Sequence, residues 1–180
     1  MREIIKMLLV LTLISTTTGL ALGYVSKITE EPIKQSEFKY AKEPALREVL
    51  PEYDNDLVQD SFVITKEDGS EVTVYPAKQG GELVAVGFET SGKGYGGDVR
   101  IMVGIDVNER KLRAIGVVAH SETPGLGAKV EEESFKDQFE KGFPVDSVMA
   151  LKSQGGKIDA LSGASITSGA VCRAINSAFD

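Results

Sequence analysis

The chain opens on an uncharged run. From Met7 to Val25 no charged residue interrupts it, and Arg2 and Lys6 stand just ahead. As a helix, Ile4 to Val25 would extend about 33 Å at ~1.5 Å per residue, enough to cross the hydrocarbon core of a bilayer. The basic residues at its head keep the N-terminus cytoplasmic and send the rest across. The pattern therefore predicts a single-pass cell-membrane anchor over residues 1–25 and an extracytoplasmic domain beyond it. The competing reading is a cleaved signal peptide, with Met7–Ile14 as its apolar stretch and Gly19-x-Ala21 as a weak cleavage site. Thr16–Thr18 softens the run without adding charge.

Residues 26–60 are polar and helix-prone, broken by Pro32, Pro44 and Pro51. Glu30-Glu31-Pro32 reads as a helix start, and Pro44–Leu50 as a short second helix stopped by Pro51. This stretch is expected to be a helical stalk, with a third segment, residues 61–180, as the folded domain.

From Phe62 the period shortens. Val72–Tyr75, Leu83–Thr90, Val99–Val107 and Leu112–Ala119 are short runs rich in β-branched residues. In the third, Val99, Ile101, Val103, Ile105 and Val107 alternate with Arg100, Met102, Gly104 and Asp106, which gives one core face and one wetter face. Asn108-Glu109-Arg110 then predicts a hairpin turn into the fourth. No helical pattern separates these runs, so the sheet is expected to be antiparallel. Two helices follow. Glu131–Phe139 places acids in its first turn and Phe135 and Phe139 on one face, with Gly142 ending it. The last begins near Gly169, with Val171, Ala174, Ile175 and Ala178 as its apolar stripe. The class is α+β: an antiparallel sheet with flanking helices, behind one transmembrane helix.

Composition narrows the chemistry. With 180 residues and 42% hydrophobic content there is material for one domain with a core. A net charge of −7 argues against nucleic acid as a partner. A single cysteine, Cys172, and a single histidine, His120, leave no disulfide framework, zinc knuckle, self-contained iron–sulfur site or multi-His metal centre. Chemistry here needs a cofactor held by other means, or does not occur.

Three segments could hold one. Gly92–Gly97 has the glycines of a dinucleotide loop, but a strand follows where a helix should receive the phosphates, so a tight turn is the better reading. Ala119–Gly127 follows directly on a strand. It is either an ordinary Pro-Gly turn or a rigid loop presenting His120, Glu122 and Thr123. Asp159–Ser168 runs into the final helix, either as a simple cap or as a phosphate-receiving helix N-terminus rich in hydroxyls.

Gly94-Tyr-Gly-Gly-Asp-Val, Glu122-Thr-Pro-Gly-Leu-Gly127 and Asp159-Ala-Leu-Ser-Gly-Ala-Ser165, in this order behind one transmembrane helix, resemble the FMN-binding domain family. Within it the chain is similar in size to the G subunits of Rnf-type ion-translocating ferredoxin:NAD oxidoreductase complexes. The resemblance implies FMN joined through its phosphate to the last hydroxyl of the motif formed by Ser162, Gly163, Ala164 and Ser165. Ser165 stands where threonine is usual, and Thr167 is the alternative acceptor. It also implies that Tyr95 of the glycine turn and Glu122, Thr123, Leu126 and Gly127 of the loop lie near the flavin. His120 is either a flavin contact or a structural residue, and Cys172 is a small core residue.

The function expected from the resemblance is one-electron relay through covalent FMN. Other membrane subunits of the complex would be its partners, and a separate flavin transferase would load it. Alternatives are a stand-alone anchored FMN protein for extracellular electron transfer and a non-redox anchored interaction domain.

Overall fold

The computed structural model describes residues 1–66 and 69–179. The chain forms two compact units, Met1–Tyr40 and Ala41–Asp180.

The first unit holds helix α1 (Arg2–Glu37), with no buried residue along its 36 positions. By length and composition it supplies the one helix, among the described residues, apolar enough to cross a membrane. Threonines fit such a helix because they turn their hydroxyls onto the backbone: Thr17 Oγ1 donates to the Leu13 carbonyl at 2.8 Å. Pro32, expected to open a new helix, instead lies inside α1. One missing N–H does not end a helix already propagated over many turns. A π-helical turn, Phe38–Lys42, follows.

The second unit begins with α2 (Glu43–Val49), which has Pro44 in its first turn and ends at Leu50 before Pro51. Its inner residues Ala45, Leu46 and Val49 are buried. Five strands follow as an antiparallel meander in the order β1 (Phe62–Thr65), β2 (Glu71–Gln79), β3 (Glu82–Lys93), β4 (Asp98–Asp106) and β5 (Lys111–Ala119). The β4–β5 hairpin turns where expected, with the Glu109 N–H donating to Asp106 Oδ1 at 2.8 Å. Beyond the sheet come a 3-10 turn (Gly127–Glu131), α3 (Glu133–Lys136), a second 3-10 turn (Lys152–Gln154) and α4 (Ser165–Phe179).

Two helices clasp the sheet. Glycines on three neighbouring strands admit α2: a Cβ at Gly104 would sit 2.3 Å from the Val49 carbonyl oxygen, and one at Gly87 2.8 Å from the Leu46 side chain. At Gly116 the nearest atom would be the Ala45 carbonyl oxygen, at 3.1 Å. Gly92 does the same for α4, where a Cβ would lie 2.1 Å from the Ala170 carbonyl oxygen. Side chains alternate along β3, so Gly87 and Gly92, of opposite parity, open on opposite faces. On the α4 face the main core gathers Val99, Ile101, Val103, Leu112 and Ile115 against Phe135, Phe139, Val171 and Ile175. Each such side chain, fully buried, contributes ~1.5–3 kcal/mol. Cys172 belongs to this core, where burial pushes its thiol up to about 11 and leaves it inert.

On the α2 face, half-buried Glu89 of β3 accepts Arg100 Nε of β4 and stands 2.9 Å from Lys42 Nζ. Burial pushes its carboxyl up, but the hydrogen bonds from Arg100 and Lys42 outweigh that and hold it below its ordinary value.

Several expectations are corrected. β1 is an additional strand whose four residues are all exposed, so it offered no alternation to read. The helix expected over Glu131–Phe139 shrinks to Glu133–Lys136, preceded by a 3-10 turn. Phe135 and Phe139 still meet edge-to-face, 5.5 Å between ring centroids, because burial rather than helical continuity places them. The closing helix starts at Ser165, not near Gly169. Serine, threonine and isoleucine are weak helix formers, and packing overrides that preference.

Candidate functional site

The site is built where α4 begins. Gly163 has φ +74° and turns the chain into the helix. Ala164 is the last residue before it and has no side-chain acceptor. The first intrahelical bond runs from the Ser168 N–H to the Ala164 carbonyl at 3.0 Å. Ser168 is buried and fastens the preceding loop: its hydroxyl accepts the Leu161 N–H at 2.9 Å and donates to the Ala164 carbonyl at 3.0 Å. The backbone N–H groups of Ser165, Ile166 and Thr167 therefore open the helix with no capping acceptor among the described residues. The hydroxyl-rich loop does not act as a side-chain cap. It leaves the positive end of a 15-residue helix available to an anion.

The two candidate acceptor hydroxyls differ sharply. Ser165 is exposed on the first turn. Thr167 is 1% exposed, and its Oγ1 donates to Glu122 Oε2 at 2.9 Å.

Glu122 is the junction of the site. It is 7% exposed, on the loop after β5. Oε1 accepts the N–H groups of Tyr95 at 2.8 Å and Gly96 at 3.1 Å, in the β3–β4 turn. Oε2 accepts from Thr167. One carboxylate thus ties a hairpin turn, a loop and the first turn of α4. Two glycines make the room: a Cβ at Gly94 would lie 2.2 Å from Oε1, and one at Gly127 2.4 Å from Oε2. Gly127 is required by this close approach and has no positive φ, whereas Gly125, with φ +76°, holds the conformation other residues avoid.

A cavity of about 350 Å³ lies over this junction. Tyr95, Glu122, Thr123, Leu126 and Gly127 line one side, and Gly163–Thr167 the other. Its size falls within the range of small-molecule sites. Three large apolar side chains stay open to solvent on its lining: Tyr95 is 76% exposed, Ile166 55% and Leu126 45%. All three motif segments therefore converge, and nine of the residues singled out in the sequence line one cavity. Ser162 is exposed and His120 half-buried, and neither lies on the lining. His120 stands behind the loop, where Nδ1 accepts the Glu122 N–H at 3.1 Å and Nε2 lies 3.1 Å from Glu131 Oε1 without hydrogen-bond geometry. Ile166 was not anticipated, although an apolar residue between two hydroxyl residues at a helix start is a readable signal.

The segment that contains the cavity lining is also the one with a family match: residues 94–180 match the family described as FMN-binding domain. The chain is 37% identical over 179 residues to the G subunit of the ion-translocating oxidoreductase complex of Cereibacter sphaeroides, covering 93% of this chain and 79% of that one. Against the corresponding G subunit of Methanosarcina acetivorans the identity is 33%, covering 99% and 94%. The crystal structure of Shewanella oneidensis NqrC shares the fold, with a TM-score of 0.55 at 22% identity over 71% of this chain and 69% of that one. The chain belongs to the family of G subunits of ion-translocating oxidoreductase complexes, within the FMN-binding domain group.

Proposed function

We propose that this chain is the electron-transfer subunit of an Rnf-type ferredoxin:NAD oxidoreductase complex and carries FMN as a phosphoester on Ser165. The observation that carries the reading is the contrast at the start of α4. Ser165 presents a free hydroxyl at the cavity, beside three uncapped N–H groups, while the Thr167 hydroxyl is buried and engaged by Glu122. The site fits a flavin mononucleotide in both its parts. The helix start suits the phosphate, an interaction worth ~0.3–1 kcal/mol when exposed and ~2 when partly buried. Tyr95, Leu126 and Ile166 offer apolar surface to a ring system.

When bound, FMN supplies one-electron chemistry. The chain's own residues do the rest: Ser165 retains the cofactor, Glu122 fixes the turn and loop around it, and the helix start holds the negative charge. In attachment, Ser165 Oγ gains the FMN phosphorus of FAD, the phosphoanhydride breaks and AMP departs. The hydroxyl proton passes to a base on a separate transferase, since Ser165 has no base within its own hydrogen-bonding reach among the described residues.

Ion coupling falls to other subunits of the complex, because the Met7–Val25 stretch of α1 contains no acid with which to build an ion path. Arg2 and Lys6 support an anchored chain with its N-terminus inside and residues 61–180 outside. Protease added to intact spheroplasts should digest the domain, and full protection would refute this orientation.

Ser165→Ala should give a folded, colourless protein, and Thr167→Ala should keep flavin fluorescence on its denatured band. The opposite pattern would move the acceptor by two residues, and flavin that washes out on unfolding would end the covalent reading. A wild-type protein without colour would favour a non-redox interaction domain.

A further inference from the structure

We infer that Glu122 is a positioning residue whose buried negative charge lowers the reduction potential of the flavin held at Ser165. The inference rests on the flavin reading above and goes beyond it, because it assigns the potential to one side chain. Both oxygens of Glu122 act as acceptors, from the Tyr95 and Gly96 N–H groups and from the Thr167 hydroxyl. These donors are neutral. Among the described residues no lysine, arginine or histidine side chain pairs with it, and His120 meets only its backbone N–H.

Hydrogen bonding alone does not call for that charge. A glutamine here would accept the two N–H groups through its carbonyl oxygen. Its amide would donate to Thr167 Oγ1, which has lone pairs to accept. The chain instead keeps the acid, and keeps Gly94 and Gly127 free of Cβ to accommodate its oxygens. The carboxylate lines the cavity itself. Away from bulk water its field is weakly screened, so adding an electron to a group in that cavity is opposed. The charge therefore favours the oxidised cofactor and makes the domain a stronger reductant.

Glu122→Gln in the full-length, detergent-solubilised chain separates charge from architecture. The wild type is first shown to carry flavin by its absorbance; a wild type without it would overturn the reading beneath this one. The glutamine variant should load flavin and unfold at a temperature no lower than wild type. Its reduction equilibrium, read by spectroelectrochemical titration, should shift at least tenfold towards the reduced form, which is 59 mV for a one-electron couple. Glu122→Asp retains the charge and should retain the wild-type potential. Glu131→Gln, which removes a solvent-exposed acid nearby, should change the equilibrium by less than about twofold. A glutamine variant with the wild-type potential would overturn the inference, as would one that fails to fold or load, since the amide should satisfy all three contacts. An aspartate variant with the raised potential would contradict it too.

Discussion

Helices α2 and α4 lie on opposite faces of one sheet, and both approach it through glycine, yet only α4 lines the cavity shared with Tyr95 and Glu122. α2 seats Ala45, Leu46 and Val49 over Gly87, Gly104 and Gly116, and all three of those helix residues are buried. α4 seats its middle on Gly92 in the same way, with Ala170, Val171 and Ala174 buried. Its first turn, however, leaves Ser165 and Ile166 in the open and three N–H groups uncapped. The difference lies at the ends. α2 continues directly from the π-helical turn Phe38–Lys42 and carries Pro44 in its first turn, whereas α4 starts afresh after the left-handed Gly163 and Ala164. What sets the start of α4 apart is that its uncapped N–H groups lie beside a cavity, where an anion could meet them.

The contrast predicts that stability and cofactor separate by face. Gly104→Ala pushes a Cβ onto the Val49 backbone and should cost ~1–3 kcal/mol in urea unfolding, while molecules that remain folded keep their flavin. Ser165→Ala removes an exposed hydroxyl and should change stability by less than ~0.5 kcal/mol, while abolishing attachment. Equal loss of flavin in both variants would mean that the two faces are not independent.

A smaller effect concerns the ion cluster on the α2 face. Glu89 is held below its ordinary 4.5 by Arg100 and Lys42, against the upward push of burial. A carboxylate whose folded value is depressed adds stability that is complete above the unfolded value and disappears as the pH falls through the folded one. The difference in unfolding midpoint between wild type and Glu89→Gln should thus be constant above about pH 4.5 and narrow below it. A gap that widens on acidification would contradict this assignment.

Much of this was legible in advance because local pattern and tertiary structure agree. The alternation of Val99, Ile101 and Val103 follows directly from a strand with one face in the core. The meander follows from strands with no helix between them. What escaped reading depends on distant partners. β1 carries no burial pattern, and α4 begins among residues that would not start a helix unaided. The role of Glu122 spans 27 residues to Tyr95 and 45 to Thr167, so no window along the chain contains it. Gly127 could be marked as a position without a side chain, but only the approach of Glu122 and Thr167 explains the need for it. His120 can be read either way from the sequence, and its contact with the Glu122 N–H is visible only in the fold.

The central claim is that the flavin is bonded to Ser165, and peptide mapping of the chain extracted from its own membrane tests it most directly. After denaturation and proteolysis, the peptide containing Ser165 should carry the mass of an FMN phosphoester, with the fragment ions placing it on that serine. An unmodified peptide with all flavin in the small-molecule fraction, or a modification placed on Thr167, would contradict it.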